Sequence, residues 1–409
     1  MSELRLEVKL KQHTPLIHFQ HDQEGATLRA SEVKPKLDRF IITKLGNGNY
    51  VEGKKLVEKN GWLVGKGEHP ALDYKIKINA IKVDSYIIPD KFPLFFGNMG
   101  DDNPRKEFRF TENPVTVFFD SFDKEIVAKI KEFFAEFLLL NNFGTRQSKG
   151  FGSFYIDDTD PLFKTPVQTQ FLDYRFKVNV DNKDWLRKWG SLCEHIDLFY
   201  KTLRSGINIC NRNGESIFYI KSIMFKYAKD RGLQWDKKSI KEHYLAMDLR
   251  TQKENHSDES DVFNFSQGKG EKYLFKDMLG LSSTESWRSY RKTITKESDR
   301  KKDDEKYIDR FMSPIIFKPI YNQNGNYYEV LFKGIEVPQN YKNENFKIKN
   351  NKQGSLSLKT YSDFYIDEFL DYAIFEVDLE NMLGDPNYLD NPKYKIIENI
   401  FNQIRKDYE

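Results

Sequence analysis

A glycine-rich segment with two cations and no acid interrupting it lies in the N-terminal half of the chain. It reads FGTRQSKGFGSFYI over residues 143–156. Glycine lets a backbone adopt positive φ and come close to a ligand, and backbone amides beside cations suit a sugar–phosphate chain. A tight helix-to-strand turn without a ligand is the alternative. The residues predicted to bind such a backbone here are Gly144, Arg146, Lys149, Gly150 and Gly152.

A second basic segment lies upstream, at residues 25–41, where Glu32 and Asp38 separate the cations. One interpretation is a solvated helix face with local ion pairs. The other is that some of the cations face a phosphate near the start of a helix. The cations predicted to bind RNA are Arg29, Lys34, Lys36 and Arg39.

Histidines at positions 13, 18 and 21 suit a different chemistry. A histidine within hydrogen-bond reach of a ribose 2′-hydroxyl can activate it for strand cleavage without a metal. The pattern provides no paired acid of fixed geometry, and its spacing in a proline-containing segment without a thiol does not match a zinc site. We predict no catalytic residue and no metal; if the chain cleaves RNA, the candidates are His18 and His21.

The composition fits a folded protein with a weak overall charge. Of 409 residues, 39% are hydrophobic and 15% aromatic, enough for the cores of two domains. The 65 basic and 62 acidic residues give a net charge of +3, which excludes a histone-like binder. If the protein holds RNA, its positive charge must be segregated onto one face, since phosphate binding responds to the local field.

The sequence predicts neither a disulfide framework nor a membrane segment. Two cysteines, Cys193 and Cys210, are too few for a framework or a CxxC metal site. The first residues alternate and carry charge, unlike a signal peptide, and no apolar run approaches membrane-spanning length. We expect a cytoplasmic protein without cofactors and without a membrane partner.

Periodicity predicts the elements that position the two basic segments. We expect Pro35 in the first turn of a helix, Asp123 as the N-cap of the clearest helix, and a left-handed end after Asn141. The predicted elements of this half are strands at 3–12, 73–83, 115–119 and 153–156 and helices at 25–41 and 123–141.

The pattern restarts after two prolines near residue 165. Two polar, charge-dense stretches, 251–273 and 295–306, are predicted to be mobile insertions. A turn through Asn324 and Gly325 joins the last two strands. The predicted elements of this half are strands at 171–180, 313–320 and 326–334 and helices at 186–203, 216–231, 236–250 and 393–407.

The second half contributes further candidate cations. Arg204 precedes Gly206 in LRSGINICNRNGE, which we interpret as the second domain's counterpart of the glycine-rich loop, although a cation is also favourable at a helix C-terminus without RNA. Two lysines lie on the following predicted helix, and one interrupts an apolar strand. The residues predicted to contact RNA are Arg204, Lys221, Lys226 and Lys318.

The order of elements favours an α+β fold over a sandwich or a bundle. A strand–helix–strand unit is followed by a restart and a second such unit. We predict two domains, at 1–160 and 165–409, the second carrying a helical and partly mobile insertion at about 207–310.

Three stretches resemble a known family. An amphipathic helix followed by G-x-R-x-x-x-G-x-G-x-F at 144–154 and a strand is similar to the glycine-rich loop of the RAMP superfamily of CRISPR proteins. HTPLIHFQ at 13–20 with GATLRASEVKPKLDRF at 25–40, and SPIIFKPIYNQNGNYYEVLF at 313–332, resemble the first subunit of the type III-B Cmr complex.

The resemblance implies two ferredoxin-like (RRM-like) RAMP domains in an RNA-binding subunit. Such a subunit caps the crRNA 3′ end, touches target RNA, assembles with other Cas effector subunits, and has no nuclease activity of its own. Two alternatives stay open: a metal-independent, repeat-processing endoribonuclease on the same fold, and an adaptor that binds partner subunits.

Overall fold

The computed structural model describes most of the chain. The described residues are 3–18, 27–65, 71–89, 92–93, 107–166, 171–181, 183–213, 215–233, 236–245, 273–287, 292–304, 307–350 and 353–409. Within them, no helix is long and apolar enough to cross a membrane.

Strands and helices are intermixed along the chain, so the fold is mixed α+β. The strands are β1 Arg5–Gln12, β2 Leu63–Val64, β3 Ala71–Leu72, β4 Lys75–Ala80, β5 Asp84–Ile87, β6 Glu107–Phe110, β7 Val115–Asp120, β8 Phe154–Ile156, β9 Tyr174–Asn179, β10 Ile207–Cys210, β11 Ser216–Ile220, β12 Thr284–Trp287, β13 Lys292–Ser298, β14 Ile315–Asn322, β15 Tyr327–Gly334, β16 Asn345–Asn350 and β17 Gln353–Lys359. The helices are α1 Ala30–Leu45, α2 Tyr50–Lys59, α3 Lys124–Leu140, α4 Trp185–Arg204, α5 Ile223–Asp230, α6 Asp236–Leu245, α7 Ile366–Asp371 and α8 Pro392–Lys406.

The backbone packs into two compact units. The first unit comprises residues 1–196 with 316–333, and the second comprises residues 197–315 with 334–409. These ranges differ from the predicted domains at 1–160 and 165–409, because β9 and most of β14 and β15 belong to the first unit.

A four-stranded antiparallel sheet forms the centre of the first unit. Its strand order is β4-β7-β1-β8, and β1 pairs with both β7 and β8. Alternate residues of β1 are buried, as its polar–apolar alternation predicts. Helices α1 and α3 bury one stripe each in the same core, with Leu37 and Phe134 among its fully buried side chains.

Helices α1 and α3 lie where the sequence predicts helices, with differences at their ends, whereas α2 was not predicted. Asp123 caps α3 by accepting a hydrogen bond from the Glu125 amide at 2.8 Å, as predicted. Pro35, however, lies inside α1 and beyond its first turn, because the helix already begins five residues earlier, at Ala30. Asn141 is extended (φ −132°), and the left-handed residue after α3 is Gly144.

A second sheet of the first unit has the order β14-β15-β9. The predicted strands at 171–180, 313–320 and 326–334 are thereby confirmed. Tyr328 pairs with Val178 across the antiparallel β15–β9 ladder, and both are buried.

The second unit contains a four-stranded antiparallel sheet, β12-β13-β16-β17, and the hairpin β10-β11. The insertion is therefore a mixture of strands and helices, not a helical one. The stretch predicted as a helix at 216–231 begins as strand β11 and turns helical only at Ile223. Of the predicted mobile stretch at 251–273, all but Tyr273 lies outside the described residues.

The prediction that 295–306 is a mobile insertion is wrong for its first part, because β13 is a paired strand of this sheet. Lys296 is almost fully buried and bonds Asp277 at 2.5 Å and Glu285 at 2.8 Å. Lys276 also pairs with Glu285. One of the charges that made the stretch look solvated, that of Lys296, is therefore a partner in a buried ion network.

Candidate nucleic-acid interface

The glycine-rich loop joins α3 to β8 through left-handed turns. Gly150 and Gly152 have φ values of +86° and +65°. A Cβ on Gly152 would lie 1.9 Å from the Phe143 carbonyl oxygen, and one on Gly150 would lie 2.7 Å from Pro319 Cγ. Both positions therefore need glycine for backbone conformation and for close packing.

The amides of the three glycines donate within the protein, which corrects the prediction that they cradle a phosphate. The Gly144 N–H donates to Glu32 Oε1 at 2.7 Å, that of Gly150 to the Gln147 carbonyl at 3.1 Å, and that of Gly152 to the Pro15 carbonyl at 2.9 Å. The glycines therefore shape the loop, and their amides are not available to a ligand.

Arg146 has a strained backbone at the tip of this loop. Its φ of +57° lies in the left-handed region, which disfavours residues with a side chain, and a short 3₁₀ turn from Gln147 to Lys149 follows. The Arg146 carbonyl accepts a hydrogen bond from the Lys149 amide at 2.9 Å. Strain of this kind persists when its surroundings enforce it, and it is concentrated at functional sites.

Lys36 ties helix α1 to the glycine-rich loop. Its Nζ donates to Glu32 Oε1 at 3.1 Å, to the Asn142 carbonyl at 3.1 Å and to Gln147 Oε1 at 2.8 Å. These three bonds use the three hydrogens of the ammonium group. Lys36 therefore positions the loop beside α1. The prediction that Lys36 faces a phosphate is corrected, because its ammonium hydrogens are donated within the protein.

Lys34 and Asp38 form the other ion pair predicted for α1. The two groups are 3.2 Å apart, Lys34 also donates to the Leu72 carbonyl at 2.8 Å, and its Nζ lies 3.6 Å from the centre of the Tyr74 ring. Burial lowers the pKa of Lys34 and raises that of Asp38, the interaction between the two opposing both shifts. The local-ion-pair interpretation of α1 thus holds for Lys34 and Lys36.

A cleft of about 880 Å³ opens beside this pair, between α1, α2 and β4. The exposed Arg39 guanidinium lies 5.3 Å from the centre of the Tyr50 ring. Lys75 lies at the same cleft, and neither cation has a carboxylate partner within the described residues. Tyr50 and Lys75 were not predicted as site residues, because both lie outside the basic segment at residues 25–41.

Lys318 is completely buried, so its predicted contact with RNA is wrong. Its Nζ donates to the carbonyls of Asn141 (3.0 Å) and Phe154 (2.8 Å) and to Asn142 Oδ1 (3.1 Å). Burial lowers its pKa well below the ordinary value. Lys318 crosslinks β14 to the residues on both sides of the glycine-rich loop.

The second unit gives little support to its three predicted cations. The Arg204 guanidinium bonds the fully buried Asp277 at 3.2 Å and the Gly280 carbonyl at 2.8 Å, so it belongs to the buried ion network. Lys226 pairs with Asp230 at 2.9 Å on α5. Lys221 precedes that helix, and its amide donates to the Met382 carbonyl.

Arg29 and the three histidines precede α1 in the chain. Arg29 occupies the N-cap position, and its Nη2 is buried without a hydrogen-bond acceptor among the described residues. His18 is buried, and His21 lies outside the described residues. Burial lowers the pKa of His13 well below its usual value, and its Nδ1 accepts the Tyr321 amide at 3.0 Å. No cluster suited to a metal occurs within the described ranges.

Comparison with known proteins identifies the family. The Cmr1 N-terminal domain model matches residues 3–207, and the Cmr1 C-terminal domain model matches residues 219–405. No curated protein matched the chain. The matches identify a subunit of type III CRISPR–Cas effector complexes. Within that class, the chain belongs to the Cmr1 family, whose members are subunits of the type III-B Cmr complex.

Proposed function

We propose that this subunit binds RNA through the surface formed by α1 and the glycine-rich loop, and that the RNA is the 3′ region of crRNA, target RNA or both. We call the residues Arg29, Arg39, Lys75 and Arg146 the α1–loop surface. Lys149 is left out of it, because its Nζ is buried and lies 6.0 Å from the centre of the buried Phe317 ring. Other Cas subunits are its protein partners in this proposal, the cytoplasm is its place of action, and we assign it no catalytic role.

The observation that carries the proposal is the pair of unneutralised cations at the α1 cleft. Arg39 and Lys75 lack carboxylate partners in the described part of the chain, and Tyr50 lies against Arg39. Arginine planes and tyrosine rings are the groups on which unstacked RNA bases pack, while lysines neutralise phosphates. Lys36 holds the glycine-rich loop, with Arg146, next to this helix.

The strand order of the first unit supports the fold that the resemblance implies. Four strands follow one another in the chain as β1, β4, β7 and β8. In the antiparallel sheet their spatial order is β4-β7-β1-β8, so the first strand lies between the third and the fourth. Helices α1 and α3 follow the first and third of them. This is the β-α-β-β-α-β arrangement of a ferredoxin-like module, which we propose for the first unit; a second such module remains a proposal on the resemblance alone.

The test is the binding of a short fluorescein-labelled single-stranded RNA to the purified full chain, followed by anisotropy over a range of salt concentrations. We expect Arg39→Ala with Lys75→Ala to lower the slope of log affinity against log salt by about 0.7 for each lost phosphate contact. Lys129→Ala is the matched control, because Lys129 pairs with Glu132 on α3. Wild-type affinity that does not change with salt would reject the proposal.

Two substitutions at Arg146 separate charge from backbone strain. Arg146→Ala and Arg146→Gly both remove the guanidinium, but only glycine tolerates the left-handed backbone, so the glycine variant should be the more stable by about 1 kcal/mol. If the guanidinium binds RNA, both variants lose affinity equally. Full affinity of Arg146→Gly would show that the residue only shapes the loop. RNA cleavage by the wild type in EDTA would instead favour the endoribonuclease alternative.

A further inference from the structure

A second cleft of the first unit, with a volume of about 560 Å³, combines lysines with aromatic rings. We call it the aromatic–lysine cleft. None of its side chains was predicted as a site residue from the sequence. It is lined by Lys11, Gln12, Phe110, Glu112, Asp181, Lys183, Trp185, Lys188, Tyr321, Gln323 and Asn326.

Lys188 is the central cation of the cleft. Its residue is 9% exposed, and its Nζ lies 4.5 Å from the centre of the Trp185 ring and 4.7 Å from that of Tyr321. Its hydrogen-bond acceptor among the described residues is the Tyr321 hydroxyl, at 2.6 Å. A buried ammonium group has three hydrogens to donate and a charge to balance. The Tyr321 hydroxyl accepts only one of these hydrogens, and the two aromatic rings balance the charge only in part.

The two carboxylates of the cleft do not pair with its lysines. Glu112 accepts the indole N–H of Trp185 at 2.8 Å, and Asp181 accepts the amide of Asn326 at 3.2 Å. Lys11 and Lys183 also lack carboxylate partners throughout the described residues. The acids therefore fix the cleft's side chains, while its three ammonium groups are available to an anion.

The amide side chains give the cleft further ligand-binding groups, whereas the nearby end of helix α4 does not. That helix begins at Trp185, and the Asp184 carboxylate already caps it by accepting the Leu186 amide at 2.9 Å. Gln323 and Asn326 offer donors and acceptors of the kind that bind ribose hydroxyls and base edges, whereas both ends of the buried Gln12 amide are already hydrogen-bonded within the protein. The volume lies in the range of small-ligand sites, about 300 to 1,000 Å³.

From this geometry we propose that the aromatic–lysine cleft binds a phosphodiester group of single-stranded RNA, with Lys188 at its centre and Lys11 and Lys183 at its rim. The inference rests on the proposed function and adds a second RNA contact to the α1–loop surface. An aspartate or glutamate side chain of a partner protein is the competing occupant.

The test compares three lysine substitutions in the full chain with a matched control. Lys11→Met, Lys183→Met and Lys188→Met keep most of the apolar stem of each side chain and remove its charge. Lys177→Met is the control, because Lys177 is exposed and its Nζ lies 5.1 Å from the Tyr327 ring centre, outside the cleft. Binding of a labelled oligouridine is measured against salt, and circular dichroism and thermal unfolding confirm that each variant is folded.

We expect the triple variant to lose at least about tenfold in affinity at low salt and to lower the salt slope by about 2, which corresponds to three contacts. The control should change neither value. Oligouridine should also alter the fluorescence of the wild type more than that of Trp185→Phe, since Trp185 lines the cleft. Unchanged affinity and slope in the folded triple variant would overturn the inference.

The outcomes distinguish this inference from the function on which it rests. One outcome is that the triple variant keeps RNA binding while Arg39→Ala with Lys75→Ala loses it. That result would overturn RNA binding by the aromatic–lysine cleft and would leave the proposed function standing. Absence of RNA binding by the wild type overturns both. Polyglutamate that displaces oligouridine from the wild type, and binds as tightly, would replace RNA by an acidic protein segment. Inorganic phosphate competing as strongly as the oligomer would show a free-anion site and overturn the phosphodiester assignment.

Discussion

Replacing Lys318 by methionine tests whether this lysine is a structural crosslink or an RNA ligand. The change removes the ammonium from Asn141, Asn142 and Phe154 while keeping a side chain of similar length. Each buried acceptor left without its donor costs about 1 to 3 kcal/mol, and removal of the buried charge offsets part of this. We expect the unfolding free energy of the first unit to fall by about 2 to 3 kcal/mol.

The pH dependence of the unfolding free energy is a second, independent test of whether Lys318 is buried. Burial lowers the pKa of Lys318, so between its folded value and the ordinary value of 10.5 the unfolded chain binds more protons than the folded one. Stability from this group therefore rises as pH increases through that window. Lys318→Met should lack this component of the rise.

Urea unfolding of wild type, Lys318→Met and the exposed control Lys177→Met measures both effects, and RNA binding is followed in parallel. We expect the control to keep wild-type stability and Lys318→Met to keep the salt slope of RNA binding. A Lys318→Met variant that is as stable as the wild type but has lost a phosphate contact would refute the burial of Lys318 and restore it as a ligand.

Three further outcomes are expected from thermal and urea unfolding. Gly152→Ala should destabilise strongly, because its Cβ would meet the Phe143 carbonyl at 1.9 Å, whereas Gly190→Ala in α4, with nothing within 4 Å, should stabilise by about 0.4 to 1 kcal/mol. Lys296→Met should cost about 3 kcal/mol, since Asp277 and Glu285 would each lose one buried cation and keep Arg204 and Lys276, respectively, as partners; an effect no larger than that of a surface substitution would contradict the network. Burial raises the pKa of Asp236 to about 6, so its contribution to stability is lost as pH rises from about 4 through 6, and Asp236→Asn should abolish that decline.

The sequence predicted the first unit well where a strong period coincided with a cap. The alternation of β1 and the apolar stripe of α3 behind Asp123 gave the type and place of both elements. The second unit was predicted poorly because polar residues there are buried in pairs. Lys296 and its acidic partners lie far apart in the chain, so charge density alone indicated solvent.

The candidate site shows the same limit. Sequence spacing identified the cations of α1 and the loop but not which of their hydrogens are already donated, since the acceptors of Lys36 and Lys318 come from distant residues. Conversely, Lys188 looked like an ordinary helix residue. Its position between Trp185 and Tyr321 depends on β14 lying beside α4, which no local pattern specifies.

A net charge of +3 is compatible with RNA binding because many charges of this chain neutralise one another. Helix α1 alone uses Glu32 and Asp38 to neutralise Lys36 and Lys34 at i,i+4 spacing. The local electrostatic potential depends on the cations that have no carboxylate partner, and not on the net charge of the whole chain. Within the described part of the first unit these include Arg39 and Lys75 at one cleft and three lysines at another. We therefore expect that a substitution placing an acid next to these cations would weaken the proposed RNA binding as much as removing the cations themselves.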